Sequence, residues 1–216
     1  MATAAFFDMD NTLLTVDTGV SYTRFLYRRG ELSRRMLAKA LYWSTLYKLA
    51  ILDIESVVTK LCMDMRGDLE ADMLARCAVW YDQDVAPFVA PAARVAIERH
   101  RQQGHAIVLA TGSTVYAARP VAGGVGIEHV LATELEVEDG AFTGKARAMC
   151  FGHYKVKLAE QWAASHGIDL AQSYFYSDSY TDRPLLERVG HAVAINPDAR
   201  LSRLAKQRRW PIMRWS

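Results

Sequence analysis

The chain alternates short apolar runs with longer stretches in which apolar residues recur at helical spacing. The apolar runs are residues 4–7, 106–110, 173–176 and 192–195. Runs of this length that end in polar residues are typical of buried parallel strands. We therefore predict strands at these four runs and a fifth near residue 130. The intervening pattern predicts helices at residues 92–103, 115–121, 155–166 and 182–188, and after Asp198.

The segment after the first predicted strand has a different pattern. From about residue 18 to about residue 85 it shows only helix-like periodicity. The predicted helices are residues 20–29, 33–52, 54–65 and 69–81. We expect an all-helical insertion, residues 17–86, in a core domain made of residues 1–16 and 87–216.

The order of the remaining elements defines the fold class. Asp139-Gly140 predicts a hairpin turn between residues 135–137 and 141–143. Repeated strand–helix alternation predicts an α/β fold that is Rossmann-like and three-layered, with a mostly parallel sheet and helices on both faces. In such folds, ligands bind beyond the carboxyl ends of the strands.

Composition narrows the possible classes of protein. Of 216 residues, 51% are hydrophobic and 23% are charged, which matches a globular chain with one buried core and excludes a disordered one. The 26 Lys and Arg nearly cancel the 24 Asp and Glu, so the net charge of +2 does not indicate a nucleic-acid partner. The three cysteines form no CxxC pair, and their odd number argues against a disulfide framework.

The two ends of the chain and its most apolar helix bear on location. The N-terminal residues lack the basic and apolar regions of a signal peptide. Charged residues interrupt residues 36–54, which is unfavourable for a membrane span. We expect a cytoplasmic protein without membrane insertion, and the sequence leaves its oligomeric state open.

The basic residues between 200 and 214 predict a solvated last helix followed by a surface tail.

Acidic residues follow two of the predicted strands. Asp8 and Asp10 come after the first, and Asp178 and Asp182 come after residues 173–176. Parallel strands bring both clusters to one edge of the sheet. An isolated Asp-X-Asp is more often a pair of surface acids, but with the acids after residue 176 it offers an oxygen-rich site that suits Mg²⁺.

A third polar cluster, Thr111-Gly112-Ser113, follows the strand at residues 106–110. The Thr111 hydroxyl and the amides around Gly112 can hold phosphate oxygens at the start of a helix, although the same residues also form plain helix caps. A lysine nearby would neutralise charge on a phosphoryl group. Either Lys155 or Lys157 could be this lysine, and helical periodicity does not distinguish between them.

Taken in order, these residues resemble the four motifs of the haloacid dehalogenase superfamily. The motifs are Asp8-Met9-Asp10-Asn11-Thr12-Leu13, Leu109-Ala110-Thr111-Gly112, Lys155, and Tyr176-Ser177-Asp178-Ser179-Tyr180-Thr181-Asp182. Each is weak alone, but the ordered set spans nearly the whole chain. The resemblance implies the superfamily's α/β fold, with the helical insertion as a cap over the site.

The resemblance also implies a magnesium-dependent phosphatase. Asp8 would be the nucleophile that forms an aspartyl-phosphate, and Asp10 would be the general acid and base. Mg²⁺ would be held by Asp8, Asp178 and the carbonyl of Asp10, and Asp182 would support that loop. Dehalogenase members lack the second aspartate of the first motif, so Asp10 favours phosphate chemistry.

The remaining implied contacts concern the substrate. Thr111, Gly112 and Lys155 would bind the phosphoryl group. The chain is most similar to the phosphoserine phosphatase subfamily, in which the residue aligned with Asp17 binds the amine of the substrate. We expect a small phosphorylated metabolite as the partner. A phosphotransferase or mutase, or a non-catalytic phosphate-binding protein on the same fold, stays open as an alternative.

Overall fold

The computed structural model describes residues 2–35, 38 and 54–215 of the chain. Within them, strands form a single seven-stranded sheet in the order β4-β3-β2-β1-β5-β6-β7. The strands are β1 (Ala4–Phe7), β2 (Ala106–Thr114), β3 (His129–Glu138), β4 (Ala141–Ala148), β5 (Tyr174–Ser177), β6 (His191–Ile195) and β7 (Ile212–Met213).

The described helices follow the predicted order with small shifts at their ends. They are α1 (Thr18–Arg28), α2 (Ile54–Asp64), α3 (Glu70–Asp84), α4 (Pro91–Gln102), α5 (Val115–Gly124), α6 (Gly152–Ser165), α7 (Arg183–Arg188) and α8 (Ala199–Arg208). Most of the helix predicted at residues 33–52 lies outside the described residues. No helix in the described part of the chain is long and apolar enough to cross a membrane.

Strand β1 lies at the centre of the sheet. It pairs in parallel with β2 and with β5, so Phe7 has Leu109 on one side and Tyr176 on the other. The β3–β4 hairpin is antiparallel and turns at Asp139-Gly140, as predicted. The strand predicted near residue 130 and the hairpin strand predicted at residues 135–137 form one continuous strand, β3, and β4 also runs longer than expected. The predicted mostly parallel α/β sheet is confirmed.

Alternate residues of β1 point to opposite faces of the sheet, as the pleat requires. Ala4 and Phe6 pack in one core with residues of α6, α7 and α8. Ala5 and Phe7 pack in a second core with residues of α4 and α5. Two cores separated by one sheet give the three layers expected of this fold class.

Helices α1, α2 and α3 follow β1 along the chain, and each contributes a buried side chain to a hydrophobic cluster. Phe25 of α1 and Trp80 of α3 belong to the same buried cluster as Phe7. Cys62 of α2 packs in a smaller cluster with Phe142 of the hairpin. All three cysteines are free thiols. The boundaries of the predicted insertion, residues 17–86, stay a prediction.

The C-terminal segment differs from the surface tail predicted for it. Ile212–Met213 forms β7, which pairs in parallel with the edge of β6. Trp215 is only 7% exposed, and its ring centroid lies 5.5 Å from that of Tyr176. The prediction is therefore wrong here, because an apolar ring and an open strand edge both gain a partner when the segment folds back.

Candidate active site

The central strand delivers Asp8 to the carboxyl edge of the sheet. The Asp8 N–H donates to the Tyr176 carbonyl at 2.9 Å, which extends the β1–β5 pairing by one residue. The chain then makes a wide turn over Met9–Leu13, closed by the Leu14 N–H donating to the Met9 carbonyl at 2.9 Å. The turn keeps Asp10 at the same edge.

Lys155 lies between two buried carboxylates. Its Nζ is 2.9 Å from Asp8 Oδ1 and 2.7 and 2.8 Å from the two carboxylate oxygens of Asp182. Burial alone lowers the pKa of this ammonium, but the charges of Asp182 and Asp8 outweigh it and raise the pKa above its ordinary value. Lys157 is exposed. The structure therefore brings Lys155, and not Lys157, to the site.

Asp182 contacts Lys155 directly, whereas the sequence predicted only a supporting position for it. The Ser177 hydroxyl, at the end of β5, donates to Asp182 Oδ2 at 2.8 Å. The same hydroxyl oxygen accepts from the Ser179 N–H at 3.2 Å. Asp182 thus fixes the lysine and is itself fixed by the loop that carries Asp178.

Both carboxylate oxygens of Asp10 have hydrogen-bond donors. The backbone N–H of Thr18, the first residue of α1, donates to Oδ1 at 2.5 Å, and the Ser113 hydroxyl donates to Oδ2 at 3.4 Å. Burial and the nearby charge of Asp17 raise the pKa of Asp10 to about 6, against the opposing effect of these hydrogen bonds. Asp10 therefore holds a proton more readily than an ordinary aspartate.

Asp178 and Asp8 share the same acidic surroundings. Burial, followed by the charges of Asp8, Asp182 and Asp10, raises the pKa of Asp178 to about 8, while a hydrogen bond from Asn11 lowers it. Burial raises the pKa of Asp8 to about 7, and the charge of Lys155 opposes the rise. Crowded buried carboxylates of this kind favour a bound cation.

These residues fit Mg²⁺ by the chemistry of their donor atoms. Carboxylate and carbonyl oxygens are hard ligands, which Mg²⁺ prefers. Among the described residues, no three His, Cys, Asp or Glu side chains form a metal cluster by themselves. Mg²⁺ usually keeps several water molecules and binds one or two carboxylates together with substrate phosphate. The predicted ligands, which are Asp8, Asp178 and the carbonyl of Asp10, are a set of this kind.

Thr111 and Gly112 lie at the end of the strand beside β1. Leu109 pairs with Phe7, so Thr111 stands one position beyond the level of Asp8 in the neighbouring strand. The Thr111 hydroxyl is buried and accepts from the Ser113 N–H at 3.2 Å. The Gly112 carbonyl accepts from the Thr133 hydroxyl at 2.9 Å. These contacts fix the segment predicted to bind phosphate.

Asp17 lies at the start of α1, close to Asp10. Its Oδ1 accepts from the Val20 N–H at 2.9 Å, which caps the helix. Its charge contributes to the raised pKa of Asp10, so the two carboxylates share one side of the site. The sequence did not predict the Thr18 N–H as a hydrogen-bond donor to Asp10, because a backbone donor has no signature in the sequence.

Comparisons with known proteins show the family of the chain. A family model described as haloacid dehalogenase-like hydrolase matches residues 5–187. The chain belongs to the haloacid dehalogenase-like hydrolase family. A solved structure similar to this hydrolase is a protein of unknown function from Bordetella pertussis Tohama I. It has a TM-score of 0.86 and 28% identity, and the match covers 99% of this chain and 98% of that one.

Curated relatives of this haloacid dehalogenase-like hydrolase include two named phosphatases. Phosphoserine phosphatase SerB1 of Mycobacterium tuberculosis is 33% identical over 217 residues, covering 98% of this chain and 70% of the relative. Histidinol-phosphatase of Neisseria meningitidis is 27% identical over 219 residues, covering 99% of each. The predicted family and the predicted phosphatase class are therefore confirmed.

Proposed function

We propose that this chain is a Mg²⁺-dependent phosphatase that hydrolyses a small phosphomonoester through an aspartyl-phosphate on Asp8. One observation carries the proposal: Asp8, at the end of the central strand, has Oδ1 2.9 Å from Lys155 Nζ, and Asp10 follows two residues later. The ammonium stands where it can neutralise charge on a phosphoryl group that is transferred to Asp8.

In the first step, a carboxylate oxygen of Asp8 forms a bond to phosphorus as the ester P–O bond breaks. The carboxyl group of Asp10 donates its proton to the leaving oxygen, so the alcohol departs neutral. A pKa raised to about 6 suits this role, because the group then holds a proton more readily than an ordinary aspartate. The hydrogen bonds from Thr18 and Ser113 orient it.

In the second step, the carboxylate of Asp10 accepts a proton from water as the water oxygen attacks phosphorus. The bond between phosphorus and Asp8 breaks and inorganic phosphate is released. Asp10 regains its proton and Asp8 its carboxylate, so both residues return to their starting states. Asp182 holds Lys155 in place throughout.

Two sets of residues would bind the phosphoryl group and the metal. The Thr111 hydroxyl and the Gly112 N–H would donate to phosphoryl oxygens from the end of β2, and the Ser113 N–H holds the Thr111 hydroxyl in place. Asp8, Asp178 and the carbonyl of Asp10 would hold Mg²⁺, which when bound neutralises charge on the phosphoryl oxygens. The crowding of buried acids that raises the pKa of Asp178 to about 8 supports this assignment.

The named relatives suggest a substrate class. Phosphoserine and histidinol phosphate, the substrates that their names give, are both phosphate esters of amino alcohols. We propose that this chain also acts on a phosphorylated amino alcohol, with Asp17 near the substrate ammonium. The carboxylate of Asp17, at the start of α1 on the Asp10 side of the site, supports this role. A cytoplasmic location stays a prediction.

Phosphate release from a panel of phosphorylated amino alcohols, sugars and nucleotides tests the proposal, with Mg²⁺ and with chelator. Asp8→Asn should lower turnover at least about a thousandfold. Asp64→Asn is a matched control, because Asp64 is exposed on α2. Wild-type turnover in Asp8→Asn would remove Asp8 from the nucleophile role, and phosphoryl transfer to an added alcohol would indicate a phosphotransferase.

A further inference from the structure

One side chain connects the C-terminal segment to the turn that follows Asp8. Asn196 directly follows β6, and its Nδ2 donates to the Trp215 carbonyl at 2.8 Å and to the Asn11 carbonyl at 3.1 Å. Its Oδ1 accepts from the Trp215 N–H at 3.0 Å. Its own N–H donates to the Met213 carbonyl at 3.0 Å. Asn196 thus connects the end of β6 to β7 through its backbone N–H, and to Trp215 and the Met9–Leu13 turn through its side chain.

Few residue types meet the backbone and hydrogen-bonding requirements at position 196. Its φ is +44°, in the left-handed region that asparagine and glycine adopt more readily than other residues. The side chain donates twice and accepts once, which requires an amide. Asn196 follows an apolar strand, as Asp8 and Asp178 do. A polar residue in this position lies at the same edge of the sheet as those two residues.

Asn11 is the point at which this connection reaches the site. Its φ is +51°, its N–H donates to the Val16 carbonyl at 3.3 Å, and Asn196 holds its carbonyl. Its side chain lies close enough to Asp178 to lower the pKa of that carboxyl group. The peptide that joins Asp10 to Asn11 carries the Asp10 carbonyl. The orientation of that oxygen therefore depends on how Asn11 is held.

The ring of Trp215 packs against aromatic rings at the ends of β1 and β5. Its centroid lies 5.5 Å from that of Tyr176 and 6.4 Å from that of Phe7, which are themselves stacked at 4.7 Å and 5°. Phe7 immediately precedes Asp8, and Tyr176 lies two residues before Asp178. Three packed rings thus hold the strand ends that carry Asp8 and Asp178.

We infer that Asn196 and Trp215 are positioning residues for the reaction proposed above, on which this inference rests. They fix the Met9–Leu13 turn and the ends of β1 and β5, so that the oxygens of Asp8, Asp10 and Asp178 face one cation. Core packing alone would explain the ring of Trp215. It does not explain an amide that uses both of its polar atoms to join the last residues to Asn11.

The variant Asn196→Gly tests this inference, because glycine keeps the positive φ and the backbone N–H and removes only the side-chain hydrogen bonds. Calorimetric titration with Mg²⁺, without substrate, should show affinity weakened about tenfold. Turnover should fall about tenfold while KM changes less than about twofold, since the reacting groups are displaced but the substrate contacts remain.

Arg214→Ala is the matched control, because Arg214 lies in the same segment with an exposed side chain. It should leave Mg²⁺ affinity and turnover unchanged. Trp215→Leu is a second variant that removes the ring stack and keeps an apolar side chain, and it should also weaken Mg²⁺ binding. Retention of wild-type Mg²⁺ affinity and turnover by folded Asn196→Gly would overturn the inference.

The wild-type protein separates this inference from the proposed function. Absence of Mg²⁺ binding or of phosphate release in the wild-type protein would overturn the proposed function. Binding and turnover in the wild-type protein, with equal values in Asn196→Gly, would overturn the positioning role alone.

Discussion

Lys155 and Asp182 form a buried ion pair, with Nζ 2.7 Å from Oδ1 and side-chain exposures of 3% and 4%. Asp8 shares the same ammonium. Lys155→Met should therefore leave two buried carboxylates without their cation, which costs about 3–5 kcal/mol in the free energy of unfolding. It should also lower kcat/KM at least about a hundredfold, because charge on the phosphoryl group is no longer neutralised.

Urea unfolding and phosphate release measure the two effects of Lys155→Met. Lys157→Met is the control, because Lys157 is an exposed lysine on the same helix. It should change the free energy of unfolding by no more than about 0.5 kcal/mol. Equal behaviour of the two variants would show that the buried pair has no special role.

Mg²⁺ should stabilise the folded protein, because the proposed site exists only when folding brings Asp8 and Asp178 together. At about 100 times its Kd, Mg²⁺ should raise the free energy of unfolding by about 2.7 kcal/mol. Asp178→Asn should abolish this gain. In chelator, Asp178→Asn should be at least as stable as the wild-type protein, because it removes one of several crowded negative charges.

Thermal unfolding of both proteins in Mg²⁺, in chelator and in NaCl of matched ionic strength measures this prediction. The NaCl sample separates specific binding from general screening of charge. A gain in stability from Mg²⁺ that persists in Asp178→Asn would place the cation elsewhere.

Asp17→Asn should raise KM for a phosphorylated amino alcohol about tenfold and leave kcat within about threefold, because it removes a charge from the proposed binding site of the substrate ammonium and not from the reacting phosphorus. Asparagine caps helices as well as aspartate does, so α1 should keep its N-terminal hydrogen bond to Val20. Asp169→Asn is a matched control, since Asp169 accepts from the Ala171 N–H in the same way. An unchanged KM would exclude Asp17 from the substrate site.

His100 should make the fold less stable in acid. It is buried, with Nε2 2.8 Å from the Tyr176 hydroxyl and Nδ1 2.9 Å from His105 Nδ1. Burial, followed by the charges of His105 and Arg99, lowers the pKa of His100 from 6.5 to about 4. The unfolded chain therefore binds a proton first as the pH falls, and the free energy of unfolding should decrease between pH 6.5 and 4.

His100→Gln measures this contribution, because glutamine stays neutral over the whole range. Urea unfolding at pH 7.5, 6 and 5 should show the variant less stable than the wild-type protein at pH 7.5, since it loses the packing of the ring against Tyr174. The difference should shrink as the pH falls. A difference that is constant with pH would show that His100 does not take up the proton.

The ends of β1, β5 and β6 were predictable to within one residue, because each strand is a short apolar run followed by polar residues. Parallel topology then requires Asp8, Thr111 and Asp178 to lie at one edge of the sheet. The choice between Lys155 and Lys157 was not predictable, because it depends on how α6 docks against the sheet. Their spacing fits the helix equally well, and only the packed structure shows which ammonium is buried.

The C-terminal segment shows a second limit of sequence reasoning. A basic composition predicted a surface tail, and the arginines are indeed exposed at Arg208, Arg209 and Arg214. The burial of Trp215 depends on an open edge at β6 and on the rings of Phe7 and Tyr176. Residues distant in the sequence create that site, and no local pattern contains it.

The central place of β1 in the sheet bears on how the protein is made. Ribosomes synthesise β1 before the other strands, yet its partners Leu109 and Tyr176 come much later in the chain. Contacts between residues so far apart in sequence slow folding. The apolar Ala4–Phe7 must therefore stay unpaired until β2 has emerged, and one of its two edges stays open until β5 follows. We expect that chains which stop before residue 174 cannot complete the sheet and become substrates for chaperones or proteases.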